Sequence, residues 1–375
     1  MIDQVADAFE RKDYRTAARL LKQLVQQESN DPWVRLYVGR LHEATGKLEA
    51  AKTVYRQLLQ STTNPKIMSQ ARQGIGRLEA MEKEQRQQAL AQATADPSSA
   101  ETGVLILEPI NTEEKQAAAQ QFARIMQLDA YTARLQLPTR GWRLYRTGAV
   151  GELEFYVSSL RQASIPCFCA SLADIKKINV FSIHCFSEGS HGSQATIVCQ
   201  NAEGQLGSLT FNWSEVTQRV EGLLPLFEEV VDMDVRRKLQ RKTRTLDYVP
   251  FCDLHLPARK TILRLSDRNY QFQQGITLTP KQQNKQTGRS QVRSIHQTTT
   301  RSNWNNLLDF LNRQLPEMPV WSDFTTFAET AIDFREMLGH LPSHIDLIRH
   351  EQTPWDPAFQ LYSGLVFLKN ASKTN

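Results

Sequence analysis

Two stretches near the start of the chain repeat at an offset of 34 residues, and this period limits the fold more tightly than any other feature. Lys12-Asp13-Tyr14-x-x-Ala17 aligns with Gly46-Lys47-Leu48-x-x-Ala51, and the same offset pairs Leu21 with Tyr55 and Leu24 with Leu58. A unit repeated at such a period cannot bury its apolar face alone and must stack on a neighbour. Alanines at 17 and 51 let two helices approach closely, because neither carries bulk there. Pro32 stops the helix before it, since an imino acid has no amide hydrogen to donate. Lys66 to Met81 (KIMSQARQGIGRLEAM) then reads as the capping helix that a short stack requires. A generic helical bundle is the alternative, but it has no reason to keep the period.

A small residue, a large apolar residue and an alanine in this order, every 34 residues, resemble the tetratricopeptide repeat. The resemblance implies an all-α module over residues 1–81 that binds proteins and carries no chemistry of its own. Two repeats are fewer than the roughly three that a free-standing stack needs, so the module leans on the rest of the chain or on a partner. Residues 82–103 follow as a linker. EKEQRQQALAQA can extend the last helix, whereas TADPSSAETG is punctuated by Pro and Gly and by side chains that compete for backbone hydrogen bonds.

Beyond the linker the pattern changes to alternating strands and helices. Apolar runs at Val104–Leu107, Trp142–Tyr145, Ile165–Cys169 and Val180–Phe186 read as strands. Helices carrying Phe122, Ile125 and Met126, then Leu153, Tyr156 and Leu160, separate the first three. This order predicts a ferredoxin-like α/β domain over residues 104–194.

Residues 195–375 read as a C-terminal α+β lobe, making the whole chain α+β and multidomain. Thr196–Cys199, the turn Asn201-Ala-Glu-Gly204, and Leu206–Trp213 form a hairpin. Val216, Val220, Leu223, Leu224, Leu226, Phe227 and Val230 suggest an amphipathic helix. Strands are expected at Thr261–Leu265 and Tyr270–Leu278, helices at Trp304–Gln314 and Ser322–Leu338, and a closing strand at Phe359–Leu368. Residues 281–302 lack periodicity and read as a mobile loop.

Composition narrows the classes further. Charged residues make up 23% and hydrophobic ones 40% of 375, which excludes a wholly disordered or fibrous chain. No apolar run approaches the roughly 20 residues that span a bilayer, and MIDQVADAFERKDY lacks the core and cleavage site of a signal peptide. Five cysteines spread through a chain this long argue against a disulfide framework. A soluble, reduced, cytoplasmic protein is expected.

Catalytic patterns are scarce. There is no Walker loop, no G-x-G-x-x-G after a strand, no G-x-S-x-G elbow, no H-E-x-x-H and no C-x-x-C. Cys167-x-Cys169 and His184-Cys185 sit in apolar strands, where cysteine behaves as a small hydrophobe. Asp253-Leu-His255 and Glu228-Glu229 could be acid–base pairs, but nothing else supports them. No enzymatic activity, metal or cofactor is expected.

Charge is more informative. Residues 234–301 hold fifteen Lys and Arg against four Asp, a balance of +11 inside a chain whose net is +5. Arg236-Arg237-Lys238-Leu239-Gln240-Arg241-Lys242-Thr243-Arg244 leads into Asp247, Tyr248 and Phe251. Arg237 and Arg241 share a face whether the segment is helical or extended. Guanidinium groups grip phosphates or stack on bases, and a carboxylate can accept from the N1 and N2 donors of guanine. The alternative is a helix end or solvated surface carrying dipole-matched cations. R-x-x-x-R is similar to half of the PilZ pattern for cyclic di-GMP. The other half is absent, because Asn201-Ala-Glu-Gly-Gln-Leu-Gly207 lacks the serine, and PilZ membership is not supported.

A second resemblance spans most of the chain. The repeats leading into an α/β region, Cys252-Asp-Leu-His-Leu-Pro257, Leu263-Arg-Leu-Ser-Asp-Arg-Asn-Tyr-Gln-Phe-Gln-Gln-Gly275 and Trp355-Asp-Pro-Ala-Phe-Gln-Leu-Tyr-Ser-Gly364 resemble a cyanobacterial family that includes the CdgR-type cyclic-di-GMP receptors. It implies a non-catalytic cytoplasmic receptor for a cyclic dinucleotide, regulating a protein partner such as a transcription factor. In such a receptor Arg237, Arg241 and Arg244 would take phosphates or stack on bases. Asp247 or Asp253 would read a guanine edge, and Arg264, Arg268 and Tyr270 would complete the set. The competing expectation is a ligand-free adaptor acting through the repeats alone. Sparse aromatics in 281–301 and the absence of a recognisable DNA- or RNA-binding module count against direct nucleic-acid readout.

Overall fold

Among the described residues, five helices build the N-terminal unit, Met1–Gln92: α1 (Ile2–Glu10), α2 (Tyr14–Gln27), α3 (Pro32–Ala44), α4 (Leu48–Ser61) and α5 (Pro65–Ala93). Asp31 caps α3 by accepting from the Trp33 amide at 2.7 Å, with Pro32 in the first turn where its missing N–H costs nothing. Tyr55, fully buried on α4, explains two glycines. A Cβ on Gly39 of α3 or Gly74 of α5 would stand 2.6 or 2.5 Å from its ring. The Tyr55 hydroxyl donates to Glu43 at 2.8 Å, and Arg77 grips the same carboxylate through Nε and Nη2 at 2.7 and 3.0 Å. The capping helix runs on past Met81, as the EKEQRQQALAQA stretch allowed. The first part of the expected linker, 82–93, continues α5 because its Gln, Ala and Lys residues have no reason to break it.

The computed structural model describes residues 1–27, 30–190, 192–233, 239–278, 299–347 and 352–371. Its second unit, Ala93–Asn375, contains two sheets. The first takes β1 (Thr102–Leu107), then α6 (Lys115–Met126), α7 (Ala130–Gln136), β2 (Arg143–Ala149), α8 (Val150–Gln162) and β3 (Cys167–Ser171), with antiparallel order β2-β1-β3. After α9 (Leu172–Lys176) come β4 (Asn179–Phe186), β5 (Gln194–Gln200), β6 (Leu206–Asn212), β7 (Gln218–Met233), β8 (Leu239–Leu256) and β9 (Thr261–Ser266). Then follow α10 (Thr300–Gln314), β10 (Val320–Trp321), α11 (Phe324–Ala331), α12 (Arg335–Gly339) and α13 (Trp355–Ala371). The second sheet has order β10-β7-β8-β9-β4-β5-β6.

The layers alternate. Helices α6–α8 cover one face of the first sheet through Leu105, Leu107 and Phe122. Its other face, with Val104, Ile106 and Trp142, meets α11–α13, whose far side packs on Val220, Leu224 and Phe251 of the second sheet. Helix α10 fills the opposite face of that sheet with Trp304, Leu307 and Phe310.

Several expectations need correction. The fourth strand of the predicted ferredoxin-like domain, β4, lies in the seven-stranded sheet, where Asn179–Ser182 pair in parallel with Thr261–Arg264; three strands remain in the first sheet. The predicted boundary at 194/195 therefore cuts through hydrogen-bonded strands. From Gln218 on, the expected helix of 216–230 is strand: Val220, Gly222 and Leu224 alternate onto one face, and Pro225 would break a helix. Gly222 is required by contact, since a Cβ there would stand 2.6 Å from Phe359. Tyr270–Leu278 is irregular, with Tyr270 and Ile276 plugging the core and Gly275 in the left-handed region. The helix expected over 322–338 breaks between α11 and α12.

The closing strand at 359–368 is instead helix α13. It is buried on all sides between the two sheets, so it shows no amphipathic stripe and its apolar run mimics a core strand. Of the expected mobile loop, 281–298 lies outside the described residues, and Thr300–Ser302 open α10 behind the capping side chain of Thr299.

Candidate functional site

Strands β7 and β8 outrun their neighbours. Strand β10 pairs with β7 only at Arg219 and Val220, and β9 pairs with β8 only from Phe251 to Leu256. Among the described residues, Glu221–Met233 and Leu239–Pro250 therefore form a ribbon with no third strand beside it. At its root opens a cleft of about 780 Å³, within the usual range of small-molecule sites. Four parts of the chain build its walls, with Ser322 and Thr325 around the start of α11 closing one side. The strands supply Leu223, Asp247, Tyr248 and Pro250; the turn after β9 supplies Asp267 and Arg268; the first turns of α10 supply Thr299, Arg301 and Trp304.

Each contributes a distinct property. Tyr248 leaves half of its surface exposed and offers a ring face. The N-terminal end of α10 lines the cleft, where the helix dipole favours negative charge, and Arg301 adds a cation there. Arg268 stands 3.3 Å from Asp247 Oδ2 and 3.9 Å from Asp267 Oδ1. Burial raises the Asp267 carboxyl above its usual range, and its Oδ1 accepts no hydrogen bond among the described residues. The set can stack a planar ring, hold an anion and accept from an amino–imino edge.

Of the eight residues predicted for a site, two line this cleft, Asp247 and Arg268. Arg237 lies outside the described residues. Arg241 and Arg244 sit on the exposed ribbon beyond the cleft, Arg244 directly opposite Glu228 and Arg241 3.8 Å from Glu229. Tyr270 is buried; its hydroxyl accepts from the Phe186 amide at 3.3 Å, and burial pushes the phenol upward.

Asp253 and Arg264 face inward and are consumed by one another. Arg264 donates through Nε and Nη2 to the two Asp253 oxygens at 2.9 and 2.7 Å. It also reaches Gln360 Oε1 at 2.9 Å and the Ser343 carbonyl at 2.7 Å. Ser363 donates to Asp253 at 2.6 Å, and His255 Nε2 lies 2.9 Å from Ser363 Oγ. Gln218 reaches His255 Nδ1 at 2.9 Å. Burial drops His255 to about 4, so the ring is neutral at pH 7. This buried chain has the residue types of a hydrolase triad in the wrong order: serine gives its proton to aspartate and leaves no nucleophile aimed at a substrate. Asp253-Leu-His255 is therefore structural.

Two contributors escaped the sequence reading. Arg301 was hidden inside a stretch read as loop, although Thr299-x-x-Ser302 is a capping signal. Asp267, inside the Leu263–Gly275 stretch, carries no sequence signal that sets it apart from the neighbouring carboxylates. The cysteines are unbridged; burial pushes Cys167 to about 12 and Cys169 to about 11, which keeps both thiols protonated at neutral pH.

Comparison with known proteins adds one finding. Residues 8–73 match the tetratricopeptide repeat family model. No curated protein and no solved structure matches the chain. The chain thus contains a tetratricopeptide module of the kind that engages protein partners, followed by a mixed α/β body, and no helix among the described residues is long and apolar enough to cross a membrane.

Proposed function

We propose that this chain is a non-catalytic receptor in which the cleft at the root of the β7–β8 ribbon takes a cyclic dinucleotide, cyclic di-GMP. The observation that carries it is the meeting of Tyr248, Arg268, Arg301 and the carboxylates Asp247 and Asp267 at the N-terminal end of α10. Tyr248 would stack on one guanine, Asp247 or Asp267 would accept from its N1 and N2 donors, and Arg268, Arg301 and the helix end would meet the phosphates. The repeats would engage the regulated partner, for which the cyanobacterial resemblance suggests a transcription factor in the cytoplasm. Regulation then requires that the ligand bind the partner-competent and incompetent states with different affinity.

The test is calorimetric titration with cyclic di-GMP, using cyclic di-AMP and GTP as controls. Micromolar or tighter selective binding is expected, weakened at least about tenfold by Arg268→Ala or Tyr248→Ala and kept by Arg241→Ala. Flat titrations against folded protein overturn the reading.

One observation favours a second reading, a ligand-free adaptor. The cleft also holds Glu221, so carboxylates outnumber guanidinium groups among its described residues, and a dianion would have to displace the Arg268–Asp247 contact. In that reading the titrations are flat while the repeats still bind their partner.

A further inference from the structure

The outer ribbon, from Phe227 to Met233 and from Leu239 to Thr245, has two unlike faces. Residues paired directly across an antiparallel ladder project to the same side. One side carries Glu228 opposite Arg244 and Val230 opposite Lys242, a surface of opposed charges suited to water. The other is less charged: it carries Phe227 opposite Thr245, Glu229 opposite Thr243, Val231 opposite Arg241, and Leu239, so that Glu229 and Arg241 are diagonal to each other. Val231 is 64% and Leu239 74% exposed, and the ribbon with its root contributes six of the thirteen large exposed apolar residues among those described. A two-stranded ribbon is marginal in water, and one presenting an apolar face is more so.

We infer that this face is covered by the same face of a second copy of the chain. Charge selects both the partner and the mode. Strand β7 is acidic here (Glu228, Glu229) and β8 basic (Arg241, Lys242, Arg244). Two-fold pairing edge to edge would set β7 beside β7 or β8 beside β8, like against like, and is opposed. A two-fold axis running along the ribbon packs the apolar faces together and lays each acidic strand over the other copy's basic one. Glu229 of each copy then lies over Thr243 of the other and within diagonal reach of its Arg241, while Phe227, Val231 and Leu239 contribute the apolar part of the strip. The Glu229–Arg241 contact within one chain is 3.8 Å and widely exposed, so it leaves both groups able to repartner.

Size sets the strength. Seven residue pairs at about 3.4 Å give a strip roughly 24 Å long and about 10 Å wide, well below the area of a tight permanent dimer. At roughly 500 Å² over both copies, a weak dimer follows, populated toward high micromolar concentration. The pairing is independent of any ligand in the cleft.

The experiment is sedimentation equilibrium of the full chain from low to high micromolar concentration, with Glu229→Arg and Arg241→Glu alone and mixed. Wild type is expected to dimerise, and each single variant to weaken its own dimer by about tenfold or more through like-charge contacts. An equimolar mixture of the two variants is expected to dimerise again, because every 229–241 contact between copies then joins opposite charges. A contact confined within one chain cannot produce that rescue. Val231→Lys, at an exposed position, is expected to abolish dimers while leaving the circular dichroism spectrum of the folded chain unchanged. A wild type monomeric throughout overturns the inference. So does a dimer indifferent to all three substitutions, or a monomer that binds a duplex oligonucleotide through the ribbon.

Discussion

Along β8 the inner half, Phe251–Leu256, lies between β7 and β9 and under α13, whereas the outer half, Leu239–Tyr248, has only β7 beside it among the described residues. The inner half buries Asp253 and His255 completely; the outer half leaves Arg241, Arg244 and Tyr248 in contact with water. Both halves are rich in polar and charged groups, yet one is scaffold and the other surface. The number of neighbouring strands and the helix above them decide which. Inside, a charge must be matched completely, as the Arg264 fork matches Asp253; outside, it is hydrated and its pairings are loose.

The sharpest way to break this comparison is Arg264→Leu, which strands the Asp253 charge. A stability loss of about 3–5 kcal/mol is expected in urea unfolding, and Asp253→Leu added to it should recover most of that loss, as apolar replacement of both partners often does. A single variant unfolding like wild type would show that the inner half does not depend on the pair. Next in size is a pH effect. His255 protonates at about 4 when folded, against an ordinary value of 6.5, so the unfolded chain takes up its proton first as pH falls. Its contribution is fully present above pH 6.5 and is lost progressively toward pH 4, by roughly 3 kcal/mol. The difference in unfolding free energy between wild type and His255→Gln, followed from pH 7 to 4.5, isolates it; a difference independent of pH refutes it.

Ser363→Ala removes one bond to Asp253 and leaves the His255 ring N–H without its acceptor, for an expected loss of about 2 kcal/mol. Smallest of all is Arg244→Ala on the outer half. Opposite Glu228 and fully hydrated, it should change stability by less than about 0.5 kcal/mol, and a larger loss would mean that the ribbon is not the loose surface described.

The sequence made the repeats legible because their period is long and their small residues sit where helices touch. It also made β5, β6, β9 and α10 legible, each bounded by turn or capping chemistry. Burial on every side defeated the reading of α13, since a helix between two sheets has no polar face to reveal its period. Strand β7 misled because Val216, Val220, Leu223 and Phe227 fit a helical spacing, while the counter-signals, Gly222 and Pro225, were single residues. For the site, Asp247 and Arg268 were legible as charges near an aromatic. Asp253 and Arg264 were chosen on the same grounds, and only the register of β8 against β9, which sets them directly across from one another, shows that they satisfy each other.

The place of α13 in both sheets' cores has a consequence for synthesis. Phe359, Leu361, Tyr362 and Leu365 supply side chains between the two sheets, and Ser363 and Gln360 complete the bonds of Asp253 and Arg264. A ribosome delivers these residues after every strand they cover, so the α/β body must wait with its central layer incomplete, while the helical repeats, with contacts local in sequence, can fold as they emerge. A chain stopped after Pro354 is expected to keep the helical signature of the repeats and to bind a hydrophobic dye through its unclosed sheets. If it unfolded cooperatively like the full chain, α13 would be an accessory to the body and not its keystone.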